Sequence, residues 1–197
     1  MTTTTPDLTS RLADIVERYK HHANIGQLLE ELGQAADGAD AEALIAAVEP
    51  YRDIPEVAGP VYERVVEQRP TDARALVVLA SAYWLAGRGP EVVGELASRA
   101  MSADPANRGA WHLWALTEGS PRERTRRWQQ VSQRFPEDDL ARANLADNAA
   151  SLAGAEHDTE ALALAIHTYE QLQARATVPA HREALEKALG TLRNWKL

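Results

Sequence analysis

The stretch L-V-V-L-A-S-A-Y-W-L-A-G-R-G-P-E-V-V-G-E-L-A-S-R-A-M-S-A-D-P, Leu76 to Pro105, holds two apolar segments divided by a break rich in glycine and proline. In the first segment Leu76, Leu79, Ala80 and Tyr83 recur at helical spacing, on one face. Gly87 suits the left-handed position that ends a helix, and Pro90 suits the first position of the next. Tyr83 and Trp84 are neighbours, so on a helix their side chains point about 100° apart and one core does not readily take both.

Outward from this pair the helical period persists. Leu8, Leu12, Ile15, Val16 and Tyr19 form a stripe, as do Ile25, Leu28, Leu29 and Leu32. Leu44, Ile45 and Val48 follow, then Val57, Val61, Tyr62, Val65 and Val66. No segment sustains the period-two alternation of a strand bounded by turn residues. Ser120-Pro121-Arg122-Glu123 has the form of a capping box, in which the Ser120 oxygen accepts from the Glu123 amide and the Glu123 side chain reaches back. Asp158 is a candidate N-cap, and Val178-Pro179 a helix entry. The count is about eleven helices with short loops, hence an array of antiparallel pairs.

The pairs repeat. Pro70, Pro105 and Pro136 close the second helices at spacings of 35 and 31 residues. Aligned on them, V-Y-E-R-V-V-E-Q-R-P, L-A-S-R-A-M-S-A-D-P and W-Q-Q-V-S-Q-R-F-P stack, each followed by a polar pair and a new amphipathic segment. This pattern resembles the tetratricopeptide repeat, with its period of about 34 residues and its closing proline. Leu76, Leu79, Ala80, Tyr83 and Gly87, then Val93, Ala97, Ala100 and Pro105 carry the best match. Trp111, Trp114, Ala115, Trp128, Val131 and Pro136 carry the next, and Leu145, Ala146, Ala165, Tyr169 and Leu172 the last. The repeat from about 40 to 70 is the weakest, with Glu42 where a large ring belongs and Gly59-Pro60 expected to interrupt its second helix.

The resemblance implies an all-α fold, a right-handed superhelical array of antiparallel helix pairs (a TPR-like α-solenoid) with a C-terminal capping helix. Residues 1–7 are expected to form a disordered leader and 8–38 an N-terminal helical pair, either an extension or a degenerate repeat. Repeats then occupy 39–177, and 178–197 cap the array with Leu185, Leu189, Leu192 and Trp195 on one face.

Composition narrows function. The chain has 197 residues, no cysteine and a formal charge of -8, with lysine only at Lys20, Lys187 and Lys196. No thiolate chemistry or disulfide is available, and the acidic balance argues against non-specific nucleic-acid binding. Neither a secretory signal nor an apolar run long enough for membrane insertion is visible, so a cytoplasmic location is expected. His21-His22 are adjacent and diverge on a helix, and His112, His157, His167 and His181 are scattered. No H-E-x-x-H, G-x-S-x-G or phosphate-cradling loop occurs, so no catalytic residue, cofactor or metal is assigned.

In the resembled family the first helices line a concave groove. That geometry implies a groove set of Arg74, Val77, Val78, Ser81, Trp84 and Leu85, then His112, Leu113 and Leu116, then Leu140, Ala143, Asn144, Asp147 and Ser151. Family members that clamp terminal carboxylates use lysine and asparagine there. Arg74 and Asn144 are the only comparable residues, so an apolar peptide or helix is the better fit. Trp84 packs on the next first helix, at Leu113, stands exposed as a ligand anchor, or is covered by the two N-terminal helices folding back. Arg122, Arg124, Arg126 and Arg127 form either a solvated face paired with local carboxylates or a patch for an acidic partner. The expected function is a non-enzymatic adaptor binding another protein. The alternatives are a self-assembling scaffold joined through its convex face or terminal helices, and more remotely a helical-array enzyme.

Overall fold

The computed structural model describes residues 7–196. Among these the elements are α1 (Leu8–His22), α2 (Ile25–Ala36), α3 (Ala41–Val48), α4 (Pro55–Gln68), α5 (Ala73–Leu85) and α6 (Pro90–Ala103). They continue with α7 (Arg108–Leu116), α8 (Pro121–Arg134), α9 (Asp139–Glu156), α10 (Thr159–Arg175) and α11 (Pro179–Arg193), and a 3-10 turn, Glu49–Tyr51, extends α3. No strand occurs among the described residues.

Each first helix of a pair starts the same way. Asp7, Asp40, Asp72, Asn107 and Asp138 accept, through their side chains, the amide three residues on, at 2.8 to 3.2 Å. Each bond satisfies one of the N–H groups that a helix start leaves without an intrahelical partner. The five caps are 33, 32, 35 and 31 residues apart, so the period runs back through α1. Three of the second helices, α4, α6 and α8, open instead on proline, at Pro55, Pro90 and Pro121. Its fixed φ suits the first helical position, where no N–H is needed.

The chain forms two compact units, Met1–Leu113 and Trp114–Leu197, so the division falls inside α7. In the first unit α1 packs on α2 and α3, α2 and α3 pack on α4, and α5 packs on both α4 and α6. Leu12, Leu28, Leu44, Val57, Val61, Leu76 and Val93 are fully buried there. In the second unit α8 packs on α9, α9 on α10 and α10 on α11, around Trp128, Val131, Leu145, Leu152 and Leu189. Gly87 adopts φ +70°. The Arg88 amide donates to the Tyr83 carbonyl and the Gly87 amide to the Trp84 carbonyl, the paired bonds of a Schellman ending.

Several sequence expectations need correction. The leader expected over 1–7 lies outside the described residues except for Asp7, which is the N-cap of α1. Ile25 and Leu29 do not join the core of α2 but stay 47% and 46% exposed. Leu29 sits about 100° round from the buried Leu28, at the edge of the stripe, and Ile25 is the first residue of its helix. Gly59-Pro60 does not interrupt α4, which runs unbroken through Pro60. The capping box at Ser120 is only half made. Ser120 accepts from the Glu123 amide at 3.4 Å, but its own amide donates to Glu118 at 2.9 Å, while Glu123 pairs with Arg126. The last helix ends at Arg193, and Trp195 lies beyond it with its ring against Gly154.

Leu76 is wholly buried, so Leu76→Ala is expected to lower unfolding free energy by about 2–5 kcal/mol in a denaturant titration. Gly87→Ala is expected to cost about 1–2 kcal/mol, because an alanine must then hold the left-handed conformation.

Candidate partner-binding surface

The predicted groove residues of α5 fall along one side of that helix, at positions 74, 77, 81 and 84. Trp84 is 37% exposed and Leu85 67% exposed, whereas Val77 and Ser81 are half-buried and Val78 is buried. Ser81 spends its hydroxyl on the Val77 carbonyl at 2.8 Å. Opposite them stands the 3-10 turn that follows α3. Glu49, Arg52 and Asp53 face Val77, Val78, Ser81 and Leu85 across an open cleft of about 470 Å³. Glu49 and Arg52 pair across one turn at 3.0 Å. Along its other flank Val77 meets the start of α7, where a Cβ on Gly109 would stand 3.0 Å from Val77 Cγ1. Glycine therefore permits α7 to approach α5 this closely. The sequence reading missed the turn wall, whose only signal was the charged E-P-Y-R-D run directly after a short helix.

Tyr83 turns the other way. Its hydroxyl donates to Glu63 on α4 at 2.6 Å, and the Arg88 guanidinium lies over its ring at 5.2 Å. Burial, reinforced by the Glu63 hydrogen bond, pushes its phenol up to about 12.

The remaining predicted residues are not all available to a partner. Leu113 is buried and is corrected from contact to core; His112 and Leu116 are half-buried. In the second unit Asn144 donates to the Leu140 carbonyl of its own helix, and Asp147 accepts the Tyr169 hydroxyl. Burial first, and then Asp147, hold the Tyr169 phenol well above its ordinary value. Leu140 is 61% exposed at the start of α9.

The arginine run is engaged within its own unit. Arg122 pairs with Glu156 and with Asp158, the N-cap of α10, at 2.9 Å in the second case. Arg124 donates to Asn148 at 2.8 Å. Arg127 pairs with Glu118 at 2.6 Å, donates to the Trp114 carbonyl and lies 4.5 Å from the centre of the Trp114 ring. Arg126, paired only loosely with Glu123 at 3.4 Å, is the most exposed of the four. These partners offset the cost of placing cations at a helix N-terminus.

No family model matches the sequence, and no curated protein matches it. Solved structures do. A thermophilic TPR protein of Thermus thermophilus superposes with a TM-score of 0.57 at 16% identity, over 95% of this chain and 100% of that one. The chain has the tetratricopeptide-repeat fold. PilF of Pseudomonas aeruginosa aligns on this TPR array with a TM-score of 0.63 at 15% identity, covering 94% of this chain and 84% of its own. A crystal structure of MamA gives 0.61 at 17% identity, over 82% and 96%. Among the described residues of the TPR array, no helix is long and apolar enough to cross a membrane, and no three histidine or carboxylate side chains are grouped to hold a metal ion.

Two tryptophans are expected to separate by role. Trp128 is buried and Trp84 is not, so Trp128→Ala should cost about 3–5 kcal/mol in chemical unfolding and Trp84→Ala markedly less. Folding favours the neutral Tyr83 phenol, so that contribution is whole below pH 10 and lost as pH rises towards about 12. Tyr83→Phe should flatten this alkaline limb when stability is followed across it.

Proposed function

We propose that the chain is a non-enzymatic protein-interaction module that binds a peptide or helix along its first helices. The observation that carries this reading is the cleft between α5 and the turn at Glu49–Tyr51. It has an aliphatic side formed by Val77, Val78 and Leu85, a charged rim at Glu49, Arg52 and Asp53, and the exposed rings of Trp84 on the same helix. An apolar face with a polar edge suits an amphipathic segment, whose side chains at i, i+3 and i+4 would lie on Val77 and Leu85. Trp84 then serves as the aromatic anchor, a residue type that gains most from desolvation at an interface. Arg74, exposed on the same helix, is the candidate polar contact at the margin of this surface.

A second reading, self-assembly through the N-terminal helical pair, is favoured by one observation. Ile25 and Leu29 leave two aliphatic side chains one turn apart in water on α2. Leu29→Glu would abolish such association, which light scattering over a wide concentration range would detect.

Peptides selected from a displayed library on the folded chain test the first reading. They are expected to lose binding on Ser81→Arg, which fills the cleft, and to weaken on Trp84→Ala, with a change of tryptophan emission on wild type. Selected peptides indifferent to both substitutions would rule the cleft out as the binding site.

A further inference from the structure

The opposite side of α5 holds a second cleft, independent of the one above. Its walls are the second helices α4 and α6, its floor is Leu79 and Tyr83 of α5, and its volume is about 590 Å³. Leu79 is buried and the Tyr83 ring half-buried, while Val92 on the α6 wall is 44% exposed, so the floor and one lip are apolar. Three carboxylates face this space: Glu63 and Glu67 from α4 and Glu95 from α6.

One cation of the chain, Arg99, lines the space beside these carboxylates. It lies at one end, where one of its N–H groups donates to the Pro70 carbonyl at 3.1 Å. Arg88 lies over Tyr83 at the other. Glu67 is shared with Arg64 at 3.1 Å on an exposed turn, a pair of the kind that contributes little and exchanges readily with solvent. Glu63 takes one proton donor, from Tyr83, and keeps acceptor capacity for another.

We propose that this cleft docks a segment of a partner protein that is both basic and aliphatic. A lysine or arginine stem would lie on Leu79 and the Tyr83 ring with its charged head between Glu63 and Glu95, while an adjacent aliphatic side chain covers Val92. The net charge of -8 draws such a segment in and repels acidic ones. Its walls belong to second helices, and it does not depend on the groove reading.

Fluorescence anisotropy on the full chain tests it, with labelled amphipathic peptides of lysine and leucine and a matched peptide with glutamate in place of lysine. The lysine peptide is expected to bind and the glutamate peptide not. Glu95→Lys and Glu67→Lys should each weaken binding by about tenfold or more, and Val92→Ser should also weaken it. Ser81→Arg in the other cleft, and Glu186→Lys on α11 of the second unit, should leave it unchanged. Absence of binding by the lysine peptide, or an equal loss with Glu186→Lys, overturns the proposal. The first result denies the site, and the second reduces it to general charge attraction. Loss with Ser81→Arg but not with Glu95→Lys would transfer the peptide to the first cleft and overturn it as well.

Discussion

Buried alanines set the distance at which the helices of each unit meet. Ala58, Ala80, Ala97 and Ala100 in the first unit, and Ala146, Ala149 and Ala165 in the second, are entirely shielded from solvent. Helix axes approach most closely where the side chains between them are smallest. Leucine, valine, Tyr62 and Trp128 fill the rest of the cores, while Tyr83 and Trp84 reach the surface.

This explains the different fates of Tyr83 and Trp84. The helix rotates them apart, so one ring packs against α4 and ends on Glu63, while the other remains partly in water on the first-helix side. One short helix thereby contributes to two clefts. The first carries an aliphatic face with a charged rim, and the second an apolar floor beneath three carboxylates. The two sides of one repeat therefore differ in chemistry.

Charge pairs here join elements as well as neighbours on one helix. Arg122 ties the start of α8 to the α9–α10 junction, Arg175 ties the end of α10 to Glu137 and Asp139, and Arg69 reaches Glu42. These exposed pairs add little stability one by one. They do orient helix ends that the caps have already defined, and they leave few uncommitted cations in a chain that is acidic overall.

Much of the fold was legible because it rests on local rules. The 3.6-residue stripe, the proline at second-helix starts and the glycine at Gly87 follow from backbone geometry, which neighbours in sequence settle among themselves. The recurring Asp and Asn caps were equally readable and extend the period back to Asp7. The surfaces were less legible. Pairing of the arginines with Glu156, Asp158 and Glu118, and burial of Leu113, depend on residues that adjoin only after packing. The turn wall at Glu49–Asp53 becomes part of a cleft only because α5 lies across from it. The sequence by itself determined the helices, their ends and their repeating order, since these are short-range properties of the chain. Only the tertiary structure decided which side chains remain in water and which carboxylates share a cleft, because exposure and charge proximity are set by helices brought together from distant parts of the chain.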